Sequence, residues 1–440
     1  MRLLVISPDY ASHALPMIQV ASAWARTRGE AIVATGDSTR PLVEQAGLAW
    51  TPLRLGKGSN PGVIELNQQP SGEDDHLRAF FEATRAGPVA TLLYQADGRR
   101  HDLLHEPDRV LDRLTDVVAD LRPDRILVDH VAFGARLALM ALGVEAASIV
   151  LGHPSALSAA GEVYGLPPEW PTAMRPNVTE IHELTARCRA SVSDLGDATS
   201  DLLRRRASGA PRRIDLTSTP GQPTIYVYPE ALHDPLRPLP PNHVFVGSLA
   251  RSENLTDQRS PTGAGPRVLV ALGSFLSARD DVLRTAIHAA RIGDWRLVLA
   301  HGSTPIDRLG TLPAGAIVER HIPQVAWLRH TDVLVTHGGN GSITEAAAAG
   351  VPMVVLPFST DQFAGAAAIE RAGLGTVLAP NQMTAHSLAA AVDGVMHSAA
   401  ADRARNVAHD IAADGPDRAV QAIADVRCQP CSSAISSTDA

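Results

Sequence analysis

Short apolar runs that end in turn residues alternate with longer helical patterns along most of the chain, and this alternation constrains the fold more than any other feature. A strand that is buried on both faces reads as a continuous apolar run, and parallel strands need long, usually helical, connections. The pattern therefore predicts an α/β protein in which parallel sheets are wrapped by helices. At 440 residues the chain is too long for one ordinary core and fits two domains.

In the first half, the apolar runs predict strands at residues 3–7, 31–35, 125–129, 147–151 and 224–228, the last being the final strand of this half. Helices are predicted at 16–27, 110–121 and 132–142. Two stretches, 56–109 and 153–213, show no clear strand periodicity and are rich in Gly, Pro, Arg and acidic residues. Long insertions of this kind on an α/β scaffold tend to carry substrate specificity.

A polar stretch with Gly and Pro at residues 248–266 is the best domain boundary. We therefore expect a first domain at 1–247, a linker at 248–266, a second domain at 267–400, C-terminal helices at 401–426 and a disordered tail at 427–440. Strands of the second domain are predicted at 268–271, 296–300, 316–319, 333–336, 353–357 and 376–378. Helices are predicted at 280–290, 324–329, 342–349, 361–372, 385–398, 401–413 and 417–426.

Composition excludes several classes of function. The net charge is −8, so no global basic field favours nucleic acid or anionic lipid. The only lysine, Lys57, lies outside the Gly-x4-Gly-Lys-Ser/Thr spacing of a P-loop. The three cysteines do not make a disulfide framework, and the CxxC pair Cys428 and Cys431 lacks a second ligand pair, so we interpret it as incidental. With no signal peptide and no apolar stretch of about 18 residues, we expect a cytoplasmic protein.

The most informative segment is a glycine loop between the predicted strand 333–336 and the predicted helix 342–349. It reads His337-Gly338-Gly339-Asn340-Gly341-Ser342. Glycines let the backbone approach a ligand closely, and a helix start presents unpaired N–H groups and positive potential. The loop therefore predicts a phosphate or diphosphate site, where His337 donates a hydrogen bond or carries charge toward the anion. A tight turn with nothing bound is the alternative.

The residues around this loop follow an ordered pattern. Pro323-Gln324 precede the loop, and Glu345, Gly350-x-Pro352, Pro357 and Asp361-Gln362 follow it. In this segment the chain resembles the donor-binding region of family 1 glycosyltransferases with the GT-B fold, which include bacterial antibiotic-modifying enzymes and plant secondary-product enzymes. The resemblance implies an α/β protein of two doubly wound, Rossmann-like domains that face each other across a cleft.

The resemblance also implies a role in nucleotide-sugar binding for each matching residue. Gln324 would contact the nucleobase or ribose, and Glu345 would accept hydrogen bonds from ribose hydroxyls. The diphosphate would be held by one set of loop groups: His337, the backbone of Gly339, Asn340 and Gly341, and the Ser342 hydroxyl. Asp361 and Gln362 would bind hydroxyls of the transferred sugar. Ser274, which follows Gly273 after strand 268–271, matches a second phosphate-facing turn of the family.

Two positions depart from the family pattern. Plant members usually stack a tryptophan on the base where this chain has His321, and the asparagine that often follows Asp-Gln by three residues is Gly365. These differences leave the base of the donor, UDP or dTDP, and its sugar open.

A second part of the resemblance follows the first strand, where Ser-His-Ala-Leu-Pro at residues 12–16 matches the family's Gly-His-x-x-Pro. We place His13 in the loop that leads into the first helix, at the carboxyl end of a parallel strand, where α/β folds bind ligands. Imidazole has a pKa suited to removing a proton from the acceptor. Asp129 matches the acid that orients this base, although a helix N-cap is its alternative role. Asp9 and His130 are competing partners.

The resemblance thus implies an inverting, metal-independent glycosyltransferase that moves a sugar from a UDP- or dTDP-linked donor to a hydroxyl of a lipophilic natural product. No Asp-x-Asp-like cluster accompanies the donor segment, and we expect no metal and no cofactor. A sugar-nucleotide epimerase or hydrolase with the same fold is one alternative, and a non-catalytic helper protein is another. We expect no nucleic-acid partner and a monomer or homodimer.

Overall fold

The structure is a computed structural model that describes residues 1–63, 72–159, 161–206, 215–218, 223–240, 242–249, 253, 260–411 and 414–425. The predicted tail at 427–440, including Cys428 and Cys431, lies outside these residues, as does part of the predicted linker. None of the helices in the described ranges is long and apolar enough to cross a membrane.

The first half of the chain builds one parallel sheet. Its strands are β1 (Leu3–Ile6), β2 (Ala31–Thr35), β3 (Ala49–Pro52), β4 (Arg125–Asp129), β5 (Ala147–Val150), β6 (Thr224–Tyr226) and β7 (His243–Phe245). Among the described residues this sheet has seven strands in the order β3-β2-β1-β4-β5-β6-β7. The order reverses beside β1, so the sheet is doubly wound, and a crevice opens at the carboxyl ends of its central strands.

The second half repeats this architecture. Its strands are β8 (Arg267–Ala271), β9 (Arg296–Ala300), β10 (Ile317–Glu319), β11 (Val333–Thr336), β12 (Met353–Val355) and β13 (Gly375–Val377). Within the part of the chain that the structure describes, they form one parallel sheet in the order β10-β9-β8-β11-β12-β13. The two sheets confirm the predicted pair of doubly wound α/β units.

Helices connect and cover both sheets. In the first half they are α1 (Ala11–Thr27), α2 (Arg40–Gln45), α3 (Glu73–Ala86), α4 (Pro88–Leu103), α5 (Pro107–Leu121), α6 (Phe133–Ala141) and α7 (Val178–Arg206). In the second half they are α8 (Gly273–Leu276), α9 (Asp280–Ile292), α10 (Gln324–Leu328), α11 (Asn340–Ala349), α12 (Gln362–Ala372), α13 (Ala385–Met396), α14 (Ala400–Asp410) and α15 (Gly415–Ala424). The two insertions without strand periodicity therefore contribute mainly helices, α3, α4 and α7.

Two sequence expectations are wrong. The strand β6 is not the last of the first sheet, because β7 pairs beside it in parallel register. Helix α1 begins at Ala11, five residues before the predicted start, so His13 lies in its first turn and not in a loop. Pro16 does not mark the helix start, because its missing N–H affects only the carbonyl of Ser12 in that first turn.

The two halves exchange elements. Helix α3 belongs to the first half, yet Phe81 packs in the core of the second sheet with Val268 and Leu283. Helix α15 follows the second half but packs against the first, where Val420 and Ile423 share a core with Trp24. The chain therefore crosses between the halves at more places than the stretch at 248–266.

The packing of α15 against the first half leads to a prediction about stability. The side chain of Ile423 is fully buried in the first-half core. We expect Ile423→Ala to lower the free energy of unfolding by about 2–5 kcal/mol, because the substitution removes buried methylenes and leaves a cavity. Denaturant unfolding followed by circular dichroism measures this loss. Met396→Ala, on a half-exposed site of α13, is the control; equal stabilities of the two variants would contradict the packing of α15.

Candidate active site

A cavity of about 900 Å³ lies between the two sheets and is lined by residues of both. It brings together the predicted site residues of the second half and His13 of the first: Ser274, Gln324, His337, Gly339, Asn340, Gly341, Ser342, Glu345, Asp361 and Gln362. Asp129 lies behind His13 and is fully buried. The carboxyl ends of both parallel sheets thus face one cleft, which is where α/β folds bind ligands.

The predicted anion loop connects β11 to α11. The helix begins at Asn340, and its first internal hydrogen bond runs from the N–H of Ile343 to the carbonyl of Gly339. The N–H groups of the first turn are therefore available to a ligand, together with the positive end of the helix dipole. A side chain on Gly341 would meet no atom within 4 Å, so the cleft is open at this point.

The imidazole of His337 lies between two glycine turns. A Cβ built on Gly273 would lie 2.7 Å from Cε1 of His337, and one on Gly339 would lie 2.8 Å from the same atom. Burial lowers the pKa of His337 to about 4, against the opposing effect of a hydrogen bond to the backbone of Ala271. The ring is therefore neutral near pH 7, which favours the hydrogen-bonding role over the charged role considered from the sequence.

The packing of this ring predicts that Gly339→Ala weakens the anion site. The backbone of Gly339 has φ −61° and ψ 141°, which alanine adopts easily, so the main effect is the collision with His337. We expect the affinity for UDP or dTDP to fall about 10- to 100-fold, because hydrogen bonds to a charged group contribute about 1.5–3 kcal/mol. Calorimetric titration measures it. Gly394→Ala, where a Cβ meets nothing within 4 Å, is the matched control; unchanged affinity in both variants would contradict the site.

Gln324, Ser342 and Glu345 form a hydrogen-bonded group beside the loop. The Nε2 atom of Gln324 donates to Oγ of Ser342 at 3.1 Å and to Oε2 of Glu345 at 2.6 Å. All three side chains line the cleft. The structure therefore brings together the side chains to which the resemblance assigns contacts with base, ribose and phosphate. Their hydrogen bonds to one another fix their relative positions.

Ser274 contacts a residue that sequence reasoning missed. Its Oγ accepts a hydrogen bond from Nδ2 of Asn60 at 3.1 Å, and Asn60 is buried. The backbone of Asn60 bonds to Asp9 and Ala11 on either side of the start of α1. Asn60 thus joins the second glycine turn to the segment that carries His13, and no motif in the sequence indicates it.

The two residues expected to bind the transferred sugar differ in their surroundings. Oδ2 of Asp361 accepts a hydrogen bond from the backbone N–H of His153 at 2.5 Å, across the cleft. Oε1 of Gln362 accepts from the N–H groups of Phe358 and Ser359, and its Nε2 donates to Oγ of Ser359. The amide of Gln362 therefore holds its own loop in this structure, and its contact with a sugar stays a prediction.

His13 and Asp129 form a buried dyad. Nδ1 of His13 lies 2.7 Å from Oδ2 of Asp129, and the two side chains are 24% and 0% exposed. The other carboxylate oxygen accepts the N–H of Val131 at 3.0 Å. With the Nδ1 proton directed at the carboxylate, the lone pair of neutral His13 lies on Nε2, and His13 lines the cleft.

The dyad shifts both pKa values. Burial alone would lower the pKa of His13, but the charge and hydrogen bond of Asp129, with a contribution from Asp361, raise it above its ordinary value. Burial would raise the pKa of Asp129, but His13 and the neighbouring His130 hold it well below its usual range. Asp129 is therefore ionised, and it stabilises a proton taken up by His13.

The two competing partners have different positions. Asp9 accepts hydrogen bonds from the N–H of Thr39 at 2.9 Å and from its hydroxyl at 2.8 Å, so it holds the turn before α2. His130 is buried, with Nδ1 at 3.2 Å from Oδ1 of Asp129. The carboxylate of Asp129 thus lies between two imidazoles, and His13 is the more exposed of them.

The first-half wall of the cleft has an apolar and a polar part. Its apolar part includes Leu77, Phe80, Leu92, Val131 and Leu166. A polar patch from α3 and α4 comprises Glu73, His76, Tyr94, His101 and Asp102. Tyr94 contacts His76 at 2.7 Å, and His76 lies 3.4 Å from Asp102. Sequence reasoning missed this patch, and the recurrence of Tyr94, His101 and Asp102 on one face of a helix is the signal that could have found it.

The described part of the chain has no group of three or more His, Cys, Asp or Glu side chains that could hold a metal ion.

Comparison with known proteins identifies the family. Residues 221–424 match the family model described as "UDP-glucoronosyl and UDP-glucosyl transferase". An oleandomycin glycosyltransferase of Streptomyces antibioticus is 31% identical over 354 residues, which are 77% of this chain and 77% of the relative. A 4'-demethylrebeccamycin synthase of Lentzea aerocolonigenes is 28% identical over 90% of this chain and 91% of its own.

Solved structures agree in fold. The calicheamicin glycosyltransferase CalG4 superposes with a TM-score of 0.68 at 22% identity, covering 96% of each chain. The glycosyltransferase of kitacinnamycin gives 0.67 at 23% identity, covering 96% of this chain and 98% of its own. These superpositions confirm the predicted GT-B fold. The relatives and the family model confirm the predicted enzyme class. The chain is a glycosyltransferase and belongs to family 1 of these enzymes.

Proposed function

We propose that this enzyme transfers a sugar from a UDP- or dTDP-linked donor to a hydroxyl of a lipophilic small natural product, with inversion at the anomeric carbon. The observation that carries the proposal is the His13–Asp129 dyad, whose His13 lines the same cleft as the loop at 337–342. A base on one wall and an anion site on the other are the two groups that such a transfer needs.

The reaction is a single displacement. Nε2 of His13 takes the proton of the acceptor hydroxyl while its oxygen attacks the anomeric carbon. The bond from that carbon to the diphosphate oxygen breaks on the opposite side, and the nucleoside diphosphate leaves with the electron pair. Asp129 stabilises the imidazolium, and the N–H groups at the start of α11 stabilise the leaving diphosphate. We propose that these groups suffice without a metal or a cofactor.

Donor binding is assigned to the second half. Gln324 and Glu345 face the nucleoside, Ser342, Ser274 and the loop backbone face the diphosphate, and Asp361 faces the sugar. The hydrogen bonds that already join Gln324 to Ser342 and Glu345 support this assignment, because they hold the polar groups ready at low entropic cost.

Acceptor binding is assigned to the first half, where α3 and α4 supply most of the wall. Its apolar residues favour a lipophilic body, and the polar patch offers hydrogen bonds to a substituent of that body. Two relatives are named for natural products, as an oleandomycin glycosyltransferase and a 4'-demethylrebeccamycin synthase, which supports a natural product as acceptor.

A donor and acceptor panel tests the proposal. The purified enzyme is incubated with UDP-glucose or dTDP-glucose and with polyketide, macrolide or aromatic aglycones, and products are detected by mass. We expect an aglycone heavier by one hexose residue, whose anomeric proton shows the configuration opposite to that of the donor. Rapid donor turnover without any acceptor would indicate a hydrolase or epimerase, and donor binding without turnover would indicate a helper protein.

A further inference from the structure

The side chain of Asn340 joins the two halves of the molecule. Its Nδ2 atom donates to the carbonyl of Leu151 at 2.9 Å and to the carbonyl of Val227 at 2.8 Å. These carbonyls follow β5 and β6 of the first sheet, whereas Asn340 is the first residue of α11 in the second half. The side chain is nine-tenths buried, so water competes little with these hydrogen bonds.

A second contact reaches the same short segment of the first half. Oδ2 of Asp361 accepts the N–H of His153, two residues after Leu151. A Cβ on the intervening Gly152 would lie 2.6 Å from that oxygen, so the glycine permits the approach. Two donor-side residues, one from the anion loop and one from the predicted sugar site, therefore hold the turn at 151–153. We call this turn and its two partners the clasp.

The clasp is tied to the dyad through one pair of strands. Asp129, the last residue of β4, lies opposite Ile149 of β5 in the parallel register. The N–H of His130 donates to the carbonyl of Ile149 at 2.9 Å. Leu151 follows two residues later on the same chain, so the sheet register fixes its position relative to Asp129. The route from the anion loop to the base thus runs through Asn340, Leu151 and the β4–β5 pair.

We propose that Asn340 is a positioning residue that sets the anion loop at the correct distance from His13. It does so through its hydrogen bonds to the two carbonyls that follow β5 and β6. The inference rests on the proposed function, because it assumes that a donor held by the loop is attacked by an acceptor held at His13. Transfer requires the reacting atoms to meet within a few tenths of an ångström of the productive geometry, and a misplacement of about 1 Å can cost about 10²-fold in rate. Binding of the free nucleoside diphosphate requires only the second half.

Asn340→Ala tests this inference, because it removes the amide and keeps the loop backbone. We expect kcat for transfer to fall at least about 10-fold, while the Kd of UDP or dTDP, measured by calorimetry, changes by less than about threefold. Gly152→Ala disturbs the clasp from the first half, because its Cβ would collide with Asp361. We expect it to lower kcat and leave Kd nearly unchanged, as in Asn340→Ala. Thermal unfolding of each variant shows that it is folded.

Asn381→Ala is the matched control. Its Nδ2 atom also donates to two backbone carbonyls across the halves, those of Thr84 at 2.9 Å and Arg85 at 3.0 Å, but at the end of α3. We expect it to lower the melting temperature without the loss of kcat. Equal kcat in Asn340→Ala and Asn381→Ala, or an Asn340→Ala defect that lies wholly in Kd, overturns the inference. Absence of transfer by the unsubstituted enzyme overturns the proposed function, and the clasp proposal with it.

Discussion

His13→Ala should lower kcat for sugar transfer by about 10²- to 10⁴-fold, which corresponds to about 3–5 kcal/mol in the activation barrier. The substitution removes the Nε2 atom that accepts the proton of the acceptor hydroxyl. Because the side chain lies in the first half, away from the anion loop, the Kd of UDP or dTDP should stay within about threefold of the unsubstituted enzyme. Initial rates at saturating donor and a calorimetric titration measure the two quantities.

Two further variants test whether the loss of rate comes from removing the base at His13. His386→Ala removes an exposed histidine of α13 that does not line the cleft, and it should leave the rate unchanged. His13→Gln keeps a polar side chain of similar length that does not accept a proton near neutral pH, and it should be as slow as alanine. If transfer by His13→Ala stays within about threefold of the unsubstituted rate, a change of only about 0.7 kcal/mol in the barrier, His13 is not the base.

Asp129→Asn should also slow transfer, by roughly 10²- to 10⁴-fold, because the amide neither stabilises the imidazolium nor enforces the Nδ1–H tautomer. It should change the pH dependence as well. The base acts when neutral, so kcat/KM falls as the pH drops through the pKa of His13, which Asp129 raises. Removing the carboxylate lowers that pKa, and the acid limb of the profile should move to lower pH.

The comparison of rate profiles separates this role from a structural one. A variant that is merely destabilised would lose activity across the whole pH range without moving the acid limb. Since burial already holds the pKa of His337 to about 4, that residue adds no inflection between pH 5 and 8. An unmoved acid limb in a folded Asp129→Asn enzyme would contradict the dyad. Asp9→Asn, at the turn before α2, is the matched control.

The parts of the molecule that sequence predicted are those with a local signal. Strands such as β1 and β11 are continuous apolar runs because they are buried on both faces. Edge strands gave no such run: β3 is partly exposed and ends in Pro52, and β7 has only three residues. The anion loop could be predicted because its three glycines lie within the four consecutive residues 338–341. The start of α1 was misplaced because Pro16 resembled a helix-start residue while lying inside the helix.

The contacts between the two halves could not be predicted from the sequence, because they leave no local pattern in it. Asn60 and Ser274, or Asn340 and Leu151, are far apart in the chain, and several of the partners are backbone carbonyls or N–H groups. A backbone partner places little constraint on its own side chain, so the sequence there is free to vary. The dyad was predicted from the resemblance, which assigns roles to His13 and Asp129 near two strand ends. The placement of His130 against the same carboxylate depended on side-chain geometry.

The course of α15 has a consequence for engineering acceptor specificity. An exchange of the first half between related enzymes, cut only at 248–266, would leave the recipient's α15 facing a foreign surface around Trp24 and Val5. A chimera that takes residues 415–424 from the same parent enzyme as its first half keeps that core intact. Helix α3 should instead stay matched to the second half, because Phe81 packs in the core of that half. The exchangeable module is therefore discontinuous in sequence, and hybrids designed on that basis should be more soluble than those made with a single crossover.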